Sequence, residues 1–244
     1  MIALGDVAVM GGGCYGSFYL KQLVIARAKG ALTFRRVLIV DHDAACQAAA
    51  AVVEPGCEVV VADWNDFLDG YLDPAARGDH AANDMVVPTP LMPHLMADWL
   101  VRRARQEWPD RVVELVAAET PMGTPYDRLH TDKVRYVSFA DWICPTHCIE
   151  PRLCPAIGAP RTWEMRDTVI AWSAAHAKTR PIAPPAFFQC AHVAYGVGMY
   201  PAGTAADALA ALRPMASSAN GADQVIGSIS ACHGAVAVLR VGAA

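Results

Sequence analysis

The chain has 244 residues, of which 54% are hydrophobic and 18% charged, with a formal net charge of −4. That balance supplies a sizeable core and excludes a disordered chain. The mild acidity and the absence of a long basic run argue against a protein that grips nucleic acid through its phosphates. No apolar stretch is both long and uninterrupted enough to cross a bilayer, so no membrane partner is expected. The first residues open into a strand with no basic leader ahead of it, which predicts a cytoplasmic protein.

Val7–Met10 is a short apolar run that reads as a strand. It ends in Gly11-Gly-Gly-Cys-Tyr-Gly16, and a helix is predicted over 15–28, stopped by Gly30. Val37–Val40 is a second strand ending at Asp41, and an alanine-rich helix is predicted over about 43–53. Glu58–Ala62, Met85–Val87 and Val112–Val116 read as three more strands, with a helix over roughly 92–107. Continuous apolar strands alternating with helices predict an α/β fold with a doubly wound parallel sheet over 1–125. Beyond it the texture changes. Val134–Phe139, Phe187–Tyr195, Gln224–Ser230 and Ala235–Val241 read as strands, with helices near 165–177 and 204–213. A smaller α+β part is therefore expected over 126–244.

Gly11, Gly13 and Gly16 satisfy the G-x-G-x-x-G pattern between a strand and a helix. In that pattern the first glycine allows a tight turn and the second lets backbone approach a pyrophosphate. The third lets helix and strand pack closely, and the helix N-terminus attracts the anion. Asp41, at the end of the second strand, is placed to hydrogen-bond a ribose hydroxyl. This stretch resembles the NAD(P)-binding Rossmann superfamily, and the resemblance covers about residues 5–117. It implies a dinucleotide cofactor bound by Gly11, Gly13, Gly16 and Asp41, in a cleft bordered by Asp63 and Pro88–Pro90. No arginine directly follows Asp41, which favours NAD over NADP. An S-adenosylmethionine site, or no nucleotide at all, stays open as an alternative. Val9-Met10 stands where methyltransferases usually carry an acid, which weighs against the first.

The second motif is Cys144-Pro-Thr-His-Cys-Ile-Glu-Pro-Arg-Leu-Cys-Pro155. Three prolines exclude a helix interior or a central strand. Thiols in such a loop, in a reducing compartment, are expected to hold a metal rather than form disulfides. Cys144, Cys148 and Cys154 are the candidate ligands, for an iron–sulfur cluster or alternatively zinc, and unliganded thiols that simply pack the loop stay open as a third reading. A fourth ligand is sought at Cys190 or His192, two apart on a predicted strand, or at Cys232 or His233 beside Gly234. Cys14 at the helix start, and His147 and Glu150 in the loop, are candidates for catalysis. Cys46 and Cys57 read as small core residues. The leading expectation is a redox enzyme that combines NAD with a thiol-held centre and acts on an unidentified small molecule. A non-catalytic redox or nucleotide sensor, or an S-adenosylmethionine-dependent transferase, remains the alternative.

Overall fold

The structure, a computed structural model, describes residues 1–52, 54–72, 82–144, 148–177 and 180–244. In chain order its main elements are β1 (Asp6–Met10), α1 (Cys14–Ala28), β2 (Arg36–Asp41), β3 (Cys57–Val61), α2 (Trp64–Tyr71) and β4 (Met85–Val87). There follow α3 (Leu95–Glu107), β5 (Val113–Val116), β6 (Tyr126–Leu129), β7 (Arg135–Ser138) and α4 (Met165–His176). The chain closes with β8 (Ile182–Gln189), β9 (Ala191–Ala194), β10 (Val197–Pro201), α5 (Thr204–Ala216), β11 (Ala222–Ile229) and β12 (His233–Val241). The architecture is mixed α/β, and the chain divides into two compact units.

The first unit comprises Met1–Met92 and Cys190–Gly203. Its sheet runs β9-β10-β4-β1-β2-β3. The four strands from β4 to β3 are parallel, and the β9–β10 hairpin adds antiparallel to the outer edge of β4. β1 is buried along its whole length, so its apolar run has no alternation. Val7, Val9, Leu20, Leu23, Val37 and Ile39 form the core with Val197 and Met199, which come from the late hairpin. Asp6 is nearly inaccessible and is held by Arg35 and Arg36.

The second unit comprises Pro93–Gln189 and Thr204–Ala244. Its sheet runs β8-β11-β12-β7-β6, and β5 also pairs with β12. Only β8 and β11 are parallel here. Pro184 and Pro185 are carried by β8, an edge strand with a register shift between Ala183 and Ala186, where missing N–H groups are tolerated. Val137, Met165, Val169, Val225, Ile229, Val236 and Val238 form its core. Asp223 is fully buried and is bound by Arg240, Arg180 and His176.

Several expectations are corrected. Val113–Val116 does not extend a parallel sheet: it pairs antiparallel with β12 in the second unit. The division falls at 92/93, with residues 190–203 returned to the first unit, rather than near 125. The alanine-rich segment forms only a short 3₁₀ turn, Gln47–Ala51. Alanine has the right propensity, but so short a segment gains little from packing.

Candidate functional site

In the first unit the glycine loop lies between the C-terminal end of β1 and the start of α1. Gly11 takes φ +91, a left-handed conformation natural to glycine. A Cβ at Gly16 would lie 1.9 Å from the Gly11 carbonyl oxygen, so the closing turn admits no side chain. Gly12 is packed just as tightly, with a Cβ there only 2.3 Å from the Cys46 sulfur. Gly13 differs: nothing lies within 4 Å of where its Cβ would be. It is the N-cap of α1 and offers no side-chain cap, so the first-turn N–H groups of the helix remain for another acceptor.

Asp41 closes the loop from β2. Its Oδ2 accepts from Gly12 N–H at 2.6 Å and its Oδ1 from Asp43 N–H at 3.0 Å. Burial favours the neutral acid, but these N–H bonds outweigh it and hold the carboxyl below the usual value. Asp41 thus braces the glycine loop, with lone pairs still left for a hydroxyl donor. Sequence reasoning missed Trp64. Asp63 caps α2 through Asn65 N–H, and this sets Trp64 with its indole N–H on the Val40 carbonyl and its ring beneath Gly11. The signal was present: an aspartate followed two residues later by Asn65 and then Asp66 is a helix start. Cys14 is the first residue of α1 and is exposed.

In the second unit the cysteine segment meets the turn between β11 and β12. Glu150 makes the junction: its Oε1 accepts from Ser230 Oγ (2.6 Å) and Cys232 N–H (3.2 Å), and its Oε2 from Ala231 N–H (2.8 Å). Held by three donors, the Glu150 side chain latches the cysteine segment to this turn. Its φ of +50 shows that the backbone bends sharply to deliver it.

Sulfur atoms gather around this junction. Cys144 Sγ lies 3.8 Å from His233 Nε2. Cys148 Sγ accepts from Glu150 N–H, and Cys232 Sγ accepts from the Trp163 indole N–H, each at 3.3 Å. Cys154 is buried in a two-residue strand paired with Ala159–Pro160. Burial pushes the Cys144 thiol up, and the neighbouring Cys148, Cys154 and Glu150 push it further. The Trp142 indole N–H approaches that sulfur and acts the other way, although it is buried and its geometry falls short of a formed hydrogen bond. Burial raises the Cys232 thiol to about 11. It also lowers His233, favouring the neutral imidazole. Among the described residues, no three His, Cys, Asp or Glu side chains converge closely enough to hold a metal ion.

Of the proposed fourth ligands, Cys232 and His233 belong to the same unit as the loop. Cys190 and His192 fold with the first unit, and they do not share a strand: Cys190 falls between β8 and β9. His147 lies outside the described residues. Arg161, a few residues beyond the loop, is paired with Glu164 at 2.9 Å. No helix among the described residues is long and apolar enough to cross a membrane.

The fold and these two sites define a mixed α/β chain with a glycine loop in one unit and a thiol loop in the other. Residues 96–242, more than half of the chain, match the family model AF_1314_C, described as "Uncharacterized protein, C-terminal domain", and the chain belongs to that family. The match takes in the cysteine segment and the β9–β10 hairpin, while the glycine loop lies ahead of it. No curated protein and no solved structure matches the chain.

Proposed function

We propose that this chain is a cytoplasmic redox protein that binds NAD at a Rossmann-type first unit, carries a thiol-held metal in its second unit and acts on a small molecule. The observation that carries the reading is the contrast within the glycine loop. Gly11, Gly12 and Gly16 are required by internal packing, whereas the space above Gly13 is open beside uncapped helix N–H groups. That opening suits a pyrophosphate, and Asp41 stands at the neighbouring strand end where a ribose hydroxyl would donate. The strand order β3-β2-β1-β4, all parallel, is the order of a dinucleotide-binding half. Bound nicotinamide supplies two-electron hydride chemistry. The chain's own part is to bind and orient.

The donor types of the second unit, thiols and an imidazole, suit a soft metal, and binding one would have to draw together side chains that do not converge among the described residues. Burial and the neighbouring sulfurs push the Cys144 thiol up, and a bound cation would oppose that. N–H groups already directed at Cys148 and Cys232 give the outer support that thiolate ligands receive. The sequence pattern favours an iron–sulfur cluster, while the Cys144–His233 spacing favours zinc.

Calorimetry with NADH, NADPH and S-adenosylmethionine tests the nucleotide reading. Binding of NADH in preference to the other two is expected. No heat with NADH at millimolar concentration, or binding of S-adenosylmethionine alone, would overturn it.

A further inference from the structure

The second unit holds an open cleft that neither the nucleotide nor the metal reading uses. Its volume is about 360 Å³, enough for a small molecule. Three elements line it. Asp98, Arg102 and Arg105 come from one face of α3, where they stand at i, i+4 and i+7. Glu114 comes from β5, and Lys133 from the turn of the β6–β7 hairpin. All five belong to the second unit.

Two of the three cations are held in place by backbone. Arg105 donates from Nε to the Val113 carbonyl oxygen at 2.9 Å and makes no ion pair among the described residues. That bond fixes one edge of the guanidinium and leaves its two terminal nitrogens as a fork, the geometry that takes carboxylate or phosphate oxygens in pairs. Lys133 Nζ donates to the Leu115 carbonyl oxygen at 2.8 Å and to Glu114 Oε2 at 3.1 Å. An ammonium has three donors, so one remains. The backbone at Lys133 takes φ +68, a left-handed conformation unfavourable for lysine, and the hairpin turn keeps it there.

The two carboxyl groups of the cleft do not cancel these charges. Glu114 is answered by Lys133. Asp98 faces His94, whose Nε2 lies 3.5 Å from its Oδ2. Burial pushes the Asp98 carboxyl up, against the pull of His94 and Arg102, and the charge of Asp132 pushes it further. A carboxyl displaced toward its neutral form opposes a bound anion less strongly.

We propose that this cleft binds a small anionic molecule, whose carboxylate or phosphate group sits on the Arg105 fork between Arg102 and Lys133. Asp98, at the cleft wall, limits the affinity. The site stands independently of the nucleotide and metal readings.

The full chain is titrated with inorganic phosphate and, separately, with succinate, and followed by NMR at the Arg105 Nε–H and the backbone amides of α3 and β5. Saturable shifts there, with a Kd of about 1 mM or below for at least one of the two, are expected, and the tighter anion gives the class of the group. Arg105→Gln should melt like the parent chain and bind about tenfold or more weakly. Asp98→Asn should tighten binding, a change of sign that lost packing does not produce. Gly13→Thr should leave these shifts unaltered, which separates the cleft from any phosphate taken up by the glycine loop. Should Arg105→Gln melt lower, Arg102→Gln reads the same loss, and unchanged affinity there overturns the site. Shifts that are absent with both anions, that never saturate, or that persist in full in Arg105→Gln overturn it as well.

Discussion

Single atoms decide what each glycine of the nucleotide-type loop does. At Gly16 an added methyl group meets the Gly11 carbonyl at 1.9 Å, and Gly16→Ala is expected to cost about 1–3 kcal/mol, read as a lowered melting temperature. At Gly13 the same addition meets open space. Gly13→Thr, which caps a helix about as well as glycine, should therefore melt like the parent chain yet bind NADH at least tenfold more weakly by calorimetry. Unchanged affinity would show that nothing approaches that backbone. Glu150 makes the parallel case in the second unit. Glu150→Ala leaves the N–H groups of Ala231 and Cys232 without their acceptor, at about 1–3 kcal/mol, and metal retention should fall with stability. Loss of stability with full metal occupancy would separate the latch from the centre.

Among the elements, β11 carries the heaviest electrostatic load. Asp223 is fully buried, yet its carboxyl lies below the ordinary value of 3.8: burial pushes it up, and the bonds from Arg240 and His176, with the charge of Arg180, more than reverse that. A lowered folded-state value means that its stabilisation is present above pH 3.8 and is lost as pH falls through the folded-state value. Asp223→Ala should remove most of that acid-side loss in a stability-against-pH series. At neutral pH it should cost somewhat less than the about 3–5 kcal/mol of breaking a fully buried pair, because the two arginines keep water contact. Element by element, the sequence was readable wherever a pattern is local. Val-Ala-Val-Met before three glycines marked β1 and its loop, and α1, α4 and α5 lie close to where their apolar spacing put them. The partner of β5 was not readable, because a short buried strand has the same composition in a parallel or an antiparallel sheet. The break at Cys190 was hidden for a similar reason: residues 187–195 look like one strand, and no change of composition marks the passage from one unit to the other. At the sites, Asp41 and the four loop and turn sulfurs were visible as residue types. The anchoring of His233 by Ser138 joins residues 95 positions apart and leaves no local trace.

Over the whole molecule, the first unit is built from two distant pieces of chain. Val197 and Met199, both fully buried, enter its core from the β9–β10 hairpin, at about 1.5–3 kcal/mol each. A fragment ending at Met92 lacks them and exposes the edge of β4, so it should aggregate or melt well below a version with residues 190–203 joined on by a short linker. Circular dichroism of the two decides it, and equal melting curves would refute the hairpin's structural role. The same arrangement sets a timetable at the ribosome. The glycine loop is made ahead of residues 93–189, and these must emerge before the strand that flanks β4 exists. At roughly 5–20 residues per second that wait lasts on the order of 5–20 s, during which the nascent sheet has an open side. Holding chaperones therefore have a defined window, one that closes with the synthesis of fourteen late residues, 190–203.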